Sequence, residues 1–165
     1  MTAPPAGERS LSRSARRVQD ALVAGGFTNR VLELAEPVKT SQAAADAVGC
    51  TAAQIVKSLV FRGTGSGRAV LVVASGANRV NTDALAALLG EPVTMADPKF
   101  VREATGFAIG GIPPIGHERP LEVLVDSQLM KLDALWAAAG HPNSLFPLSP
   151  DELVRMTGGR VVELA

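Results

Sequence analysis

The stretch Thr105–His117, TGFAIGGIPPIGH, constrains this chain more than any other. It sets Gly106, Gly110, Gly111 and Gly116 around the pair Pro113-Pro114. Glycine opens backbone angles closed to other residues and lets a second molecule approach the main chain. Proline fixes its own φ and restrains the residue before it. Such a segment cannot continue a helix or run inside a sheet, so it reads as a stiff loop with bare peptide groups. Loops of this kind hold ligands through main-chain N–H and C=O groups. They also serve as plain turns between a helix and a strand, and composition by itself leaves both readings open.

The rest of the chain narrows the setting. Its 165 residues make a one-domain length, and 47% of them are hydrophobic, enough for a real core. Lys+Arg and Asp+Glu both number 16, so no global basic field points to nucleic acid, although a local patch is allowed. The single cysteine, Cys50, excludes an intramolecular disulfide and a cysteine-rich zinc site. No apolar run reaches membrane length, and residues 1–8 lack the apolar core of a signal peptide. The expectation is a soluble, cytoplasmic protein with a disordered lead over residues 1–9 and one domain over residues 10–165.

Leu11, Ala15, Val18 and Leu22 recur at helical spacing, and Gly25-Gly26 stops that helix. The arginines of this stretch (Arg9, Arg13, Arg16, Arg17) read as a solvated face or as contacts for phosphate. Arg30–Leu34 is a short strand. Thr40 or Ser41 caps a helix over residues 42–48, and Thr51–Gln54 is a capping box. Ile55–Phe61 (IVKSLVF) and Ala69–Ala74 (AVLVVA) form a hairpin across the turn RGTGSGR. That turn's GxGxG joins two strands and is no dinucleotide fingerprint. Helices follow after Asn81, after Asp97-Pro98 and after Ser149-Pro150, with strands at Leu121–Val125 and Arg160–Leu164. Propensity makes residues 130–139 helical. Irregular alternation of strands and helices predicts an α+β fold with a mixed sheet.

Few residues can carry chemistry. Lys57 interrupts an apolar strand, on one face with Ile55, Leu59 and Phe61, while Val56, Ser58 and Val60 take the other. It is either an edge position or an ammonium aimed into a pocket, where it meets phosphate or a developing oxyanion. His117 and His141 each follow a glycine and lie in loops, as proton shuttles, hydrogen-bond donors or residues without a role. Two histidines without a carboxylate or thiol cluster make a weak metal site, so no metal and no cofactor is expected. Asp126 ends a strand, where it lines a cleft or caps the turn at Ser127-Gln128. No GxSxG elbow is present for a Ser-His-Asp hydrolase.

These residues, in this order, resemble the YbaK/ProX family of aminoacyl-tRNA editing domains over about residues 30–160. The loop is similar to the family's TG-x-x-x-GG-x-x-P-x-G motif. The lysine strand, VLVDSQLM (Val123–Met130) and AAGHPN (Ala138–Asn143) match more weakly. The resemblance implies a mostly antiparallel curved sheet or closed barrel with surrounding helices. It implies hydrolysis of the ester joining a wrong amino acid to tRNA, most simply tRNA-Pro carrying alanine, cysteine or another small residue. On that analogy Lys57, Gly110, Gly111 and His141 are catalytic. Ser58, Ile112, Pro113, Gly116, His117 and Asp126 bind substrate, with Asp126 on the pocket floor. The resemblance makes residues 134–139 a strand, against propensity. It implies aminoacyl-tRNA as partner, prolyl-tRNA synthetase as a candidate second one, and a monomer or weak dimer. The competing readings are a non-catalytic aminoacyl- or nucleotide-binding module and an unrelated small-molecule binder, which zero net charge suits.

Overall fold

The computed structural model describes residues 11–164, and the lead expected over residues 1–9 lies outside the described residues. Helix α1 (Arg13–Ala24) starts where Ser12 Oγ accepts from Ala15 N–H, and it buries Ala15, Val18, Gln19 and Leu22. The short strand β1 (Leu32–Glu33) leads to helix α2 (Ser41–Val48), capped by the Thr40 side chain and ended by Gly49. The capping box at Thr51–Gln54 starts only one 3-10 turn, because the β-branched run behind it goes straight into β2 (Ile55–Gly63). Strand β3 (Ala69–Ser75) returns antiparallel. Helix α3 (Thr82–Leu89), strand β4 (Val93–Met95) and helix α4 (Pro98–Thr105) follow. The loop then leads to β5 (Glu122–Asp126), β6 (Leu135–Ala138), β7 (Ser144–Leu148), helix α5 (Pro150–Thr157) and β8 (Arg160–Val162).

The strands make one mixed sheet in the order β1-β7-β6-β2-β3-β5-β8, with β4 also on β2. Four pairings are antiparallel and three parallel. The fold is α+β as expected. The closed-barrel alternative is not formed, since β1 and β8 stand at opposite ends of the strand order. Period-two alternation sorts β2 and β3 between two cores. Val56, Val60, Leu71 and Val73 join the larger one under α1 and α5, while Phe61, Val70, Val72 and Ala74 join Leu85 of α3 in the other.

Two strands escape sequence reasoning, β4 and β7. β7 contains Pro147, which argues against a strand. Ser144 faces β6, accepting from Ala139 N–H at 2.9 Å, so Pro147 faces the opposite edge, beyond the two residues that β1 pairs. Its missing N–H therefore costs no ladder bond. The segment 130–139 splits into a 3-10 turn (Ser127–Lys131) and β6, so the strand implied by resemblance holds and the propensity for helix is overridden. Burial decides this: Leu135, Ala137 and Ala139 alternate into the larger core.

Candidate functional site

The glycine–proline loop is built outward from α4. Gly106 closes the helix with φ +80°. Thr105 Oγ1 donates to Val101 O at 2.8 Å and accepts from Phe107 N–H at 3.0 Å, a buried knot at the loop's entry. Arg17 of α1 reaches across to donate to Gly106 O at 3.0 Å, and its guanidinium stacks 4.4 Å from the Phe107 ring centre. At the exit, His117 Nε2 meets Pro113 O at 2.7 Å. Burial holds the His117 imidazole below its ordinary pKa, and the Pro113 contact opposes that. Gly116 has φ +91° and packs beside Ala21. Ile112, Pro113 and Pro114 are buried, while Gly110 is exposed. The arginine face of α1 thus splits. Arg17 braces the loop, and Arg13 and Arg16 remain exposed.

Opposite the loop lies the turn Gly140–Asn143. Gly140 N–H donates to Gly111 O at 2.8 Å, so the two segments touch main chain to main chain. Asn143 is latched to the residue before Ala35 from both sides: Leu34 N–H donates to Asn143 O at 2.6 Å, and Asn143 Nδ2 donates to Leu34 O at 3.1 Å. That fixes the amide so that Oδ1 faces the His141 ring. Oδ1 contacts His141 Nδ1, and the Asn143 N–H lies 3.5 Å from the same ring nitrogen, so Asn143 sets the orientation of the ring. Nε2 has no protein partner among the described residues.

Between loop, turn, β2 and the segment Val38–Ala44 lies a cavity of about 320 Å³. Lys57, Ser58, Gly110, Gly111, Ile112 and His141 all line it. Its lining includes two lysines, Lys39 and Lys57, and no carboxylate. Lys57 Nζ contacts the Asn78 carbonyl. Burial, and then the charge of Arg79, lower the lysine's pKa. The Ser58 hydroxyl is buried without a hydrogen-bond partner. Met95 and Ile109, both over half exposed, form an apolar lip. Among the described residues no group of three or more His, Cys, Asp or Glu could hold a metal ion. No helix there is long and apolar enough to cross a membrane.

Four expected site residues stand elsewhere. Pro113, Gly116 and His117 do not line the cavity and act as the loop's internal bracing. Asp126 is 1% exposed and caps the 3-10 turn, accepting from Gln128 N–H at 3.2 Å. It is not the pocket floor, because β3 separates β5 from β2. Sequence reasoning missed Asn143, Arg17 and the Thr40–Ala44 wall. The turn HPN was visible, but the bond from Asn143 to Leu34 spans 109 residues.

Comparison with known proteins identifies the family. Residues 35–156 match the model of the aminoacyl-tRNA editing domain. A solved structure described as "a putative trans-editing enzyme for prolyl tRNA synthetase" superposes with a TM-score of 0.90 at 48% identity, covering 94% of this chain and 98% of that one. "Uncharacterized protein YwhH" of Bacillus subtilis is 33% identical over 81% of this chain and 84% of its own length. The "Putative Cys-tRNA(Pro)/Cys-tRNA(Cys) deacylase EbsC" of Enterococcus faecalis is 25% identical over 76% of each. With its glycine–proline loop set against a strand lysine across one small cavity, the chain belongs to the aminoacyl-tRNA editing domain family.

Proposed function

We propose that this protein is a free-standing deacylase that hydrolyses the ester of a mischarged tRNA, with tRNA-Pro carrying alanine, cysteine or another small residue as substrate. The observation that carries this reading is the convergence of Lys57, the Gly110-Gly111 main chain and His141 on one carboxylate-free cavity. An aminoacyl ester is already activated, so orientation and stabilisation of the oxyanion suffice without a protein nucleophile. The Lys57 ammonium supplies positive charge for the acceptor end, and the loop's peptide groups position the acyl group and water. His141, whose Nε2 has no protein partner among the described residues, acts as the general base toward that water. Binding alone discriminates a missing methylene by only ~1–3 kcal/mol. Ile112, which lines the cavity and is stiffened by the two prolines behind it, instead excludes larger groups sterically. Residues 10–165 act as one editing unit, in the cytoplasm and beside prolyl-tRNA synthetase.

The test is a deacylation panel of tRNAs charged with Ala, Cys, Ser, Thr and Pro. At least one small aminoacyl-tRNA should be hydrolysed well above background and prolyl-tRNA spared. Lys57→Ala should lose at least a hundredfold in kcat/KM with stability changed by no more than about 1 kcal/mol. Absence of hydrolysis for all five substrates by the folded wild type would favour the binding-module reading and overturn this one.

A further inference from the structure

Strand β2 is bonded to β3 along its whole length on one edge, from Val56 to Arg62. Its other edge is shared between two strands. β6 pairs with Ile55 and Val56, and β4 pairs with Phe61, Arg62 and Gly63. Ala96 N–H extends the second ladder by one bond, to Val60 O at 3.0 Å. Between these partners the sheet is split at residues 57–59, and the cavity opens there.

Main-chain direction identifies the residue that faces the split. Gly76 N–H donates to Ile55 O and Gly63 N–H donates to Arg68 O, so odd-numbered residues of β2 turn toward β3. The Val60 carbonyl turns the other way, and Ser58 follows it by the period of two. Ser58 alone in the split therefore presents both its N–H and its C=O to the cavity edge. Neither group takes part in a ladder or loop bond within the described residues. Its Oγ is buried and unpartnered as well. Unsatisfied polar groups at a buried site are rare, and each needs an explanation. One donor, one acceptor and one hydroxyl stand ready for a ligand.

We propose that the aminoacyl group of the substrate fills this split as a one-residue strand, its α-ammonium donating to Ser58 O and its ester carbonyl oxygen accepting from Ser58 N–H. This rests on the deacylase reading and adds where the acyl group docks. In an extended residue the nitrogen and the carbonyl oxygen point the same way. An aminoacyl ester thus matches the N–H and C=O of Ser58 as one strand residue matches another. The chemistry follows from that pose. Water adds its oxygen to the ester carbon, and the carbonyl electron pair moves onto the oxygen held by Ser58 N–H. The pair then returns, the bond to the ribose oxygen breaks, and that oxygen leaves with the proton given up by the water. Free amino acid and uncharged tRNA result. Residues paired across a ladder send their side chains to the same face, so the substrate's side chain lies with Val56, Ser58 and Val60. A prolyl group keeps N–H donors on its free ammonium, but its ring bridges that nitrogen to Cα and brings bulk to the strand edge.

The experiment is amide hydrogen exchange by NMR on the intact protein, with 3′-alanylamino-3′-deoxyadenosine as a non-hydrolysable probe. In the free protein the Ser58 amide should exchange faster than those of Lys57 and Leu59, which face β3. The probe should slow Ser58 exchange at least tenfold, and its 3′-propionylamino analogue, which lacks the α-nitrogen, should not. Ser58→Ala keeps both main-chain groups and should keep the protection. Propionyl-tRNA, which lacks the α-nitrogen, should be hydrolysed at least a hundredfold more slowly than alanyl-tRNA. A probe that perturbs the Gly110 and Gly111 amides while leaving Ser58 exchange unchanged overturns the docking and leaves the deacylase reading standing. A wild type that neither binds the probe nor hydrolyses any aminoacyl-tRNA overturns both. Hydrolysis without probe binding at millimolar concentration also overturns the docking.

Discussion

Replacing Gly111 by alanine tests whether the cavity's two walls touch as described. A methyl group on Gly111 would lie 2.7 Å from His141 N and 2.9 Å from both Gly140 C and His141 Cα. All three atoms are main chain, so no side-chain rotation relieves the clash. An ordinary contact begins near 3.4 Å, so the loop and the His141 turn must separate by about 0.7 Å. The bond from Gly140 N–H to Gly111 O, now 2.8 Å, would stretch to the limit of a hydrogen bond. Overpacking of this kind costs about 1–3 kcal/mol. For a chain of this size that lowers Tm by roughly 2–4 °C per kcal/mol. The effect on turnover should be larger, because a misplacement near 1 Å between reacting groups costs on the order of a hundredfold. Scanning calorimetry beside single-turnover deacylation measures both. Gly110→Ala is the comparison: its methyl group meets only Pro142 Cγ, at 4.0 Å, but its φ of +102° strains any side chain. A Gly111→Ala protein with wild-type Tm and wild-type kcat/KM would show that the walls are not in contact, and the site as assembled here would be wrong.

Arg17→Ala removes the bond to Gly106 O and the stacking on Phe107 at a site over one-third exposed, and should cost about 1–2 kcal/mol. Amide exchange across residues 105–117 should quicken with it, and exchange unchanged there would deny Arg17 its bracing role. Asn143→Ala should free the His141 ring from its fixed orientation, read as a change in the ¹⁵N shifts of its two ring nitrogens, and lower kcat more than it changes KM. Ring shifts and kcat unchanged in the variant would deny Asn143 that role. The pKa of His117 is lowered in the fold, chiefly by burial, so the unfolded chain binds its proton first as pH falls. Its contribution to stability is therefore present above an ordinary imidazole pKa and lost on acidification below it. Tm should drop between pH 7.5 and 5.5, and His117→Gln should flatten that drop. An unaltered slope would place the titration elsewhere.

Much of the local structure is written in the sequence because its causes are local. Thr40, Asn81, Asp97 and Ser149 cap their helices with their own side chains, and Gly49, Gly90, Gly106 and Gly158 end them at positive φ. The alternation in IVKSLVF divides β2 between two cores as its spacing predicts. The loop's stiffness and its bare peptide groups follow from glycine and proline alone. What those peptide groups face does not, because it depends on chain segments far apart in sequence. Asp126 became a turn cap once β3 came to lie between β5 and β2, and Arg17 became a brace once α1 packed behind the loop. Residues 134–139 had helical propensity, and a buried position beside β2 made them a strand. The split in the sheet at Ser58 is the clearest case. It exists only because β6 leaves β2 after Val56 and β4 joins it at Phe61, two pairings that no local preference of IVKSLVF contains.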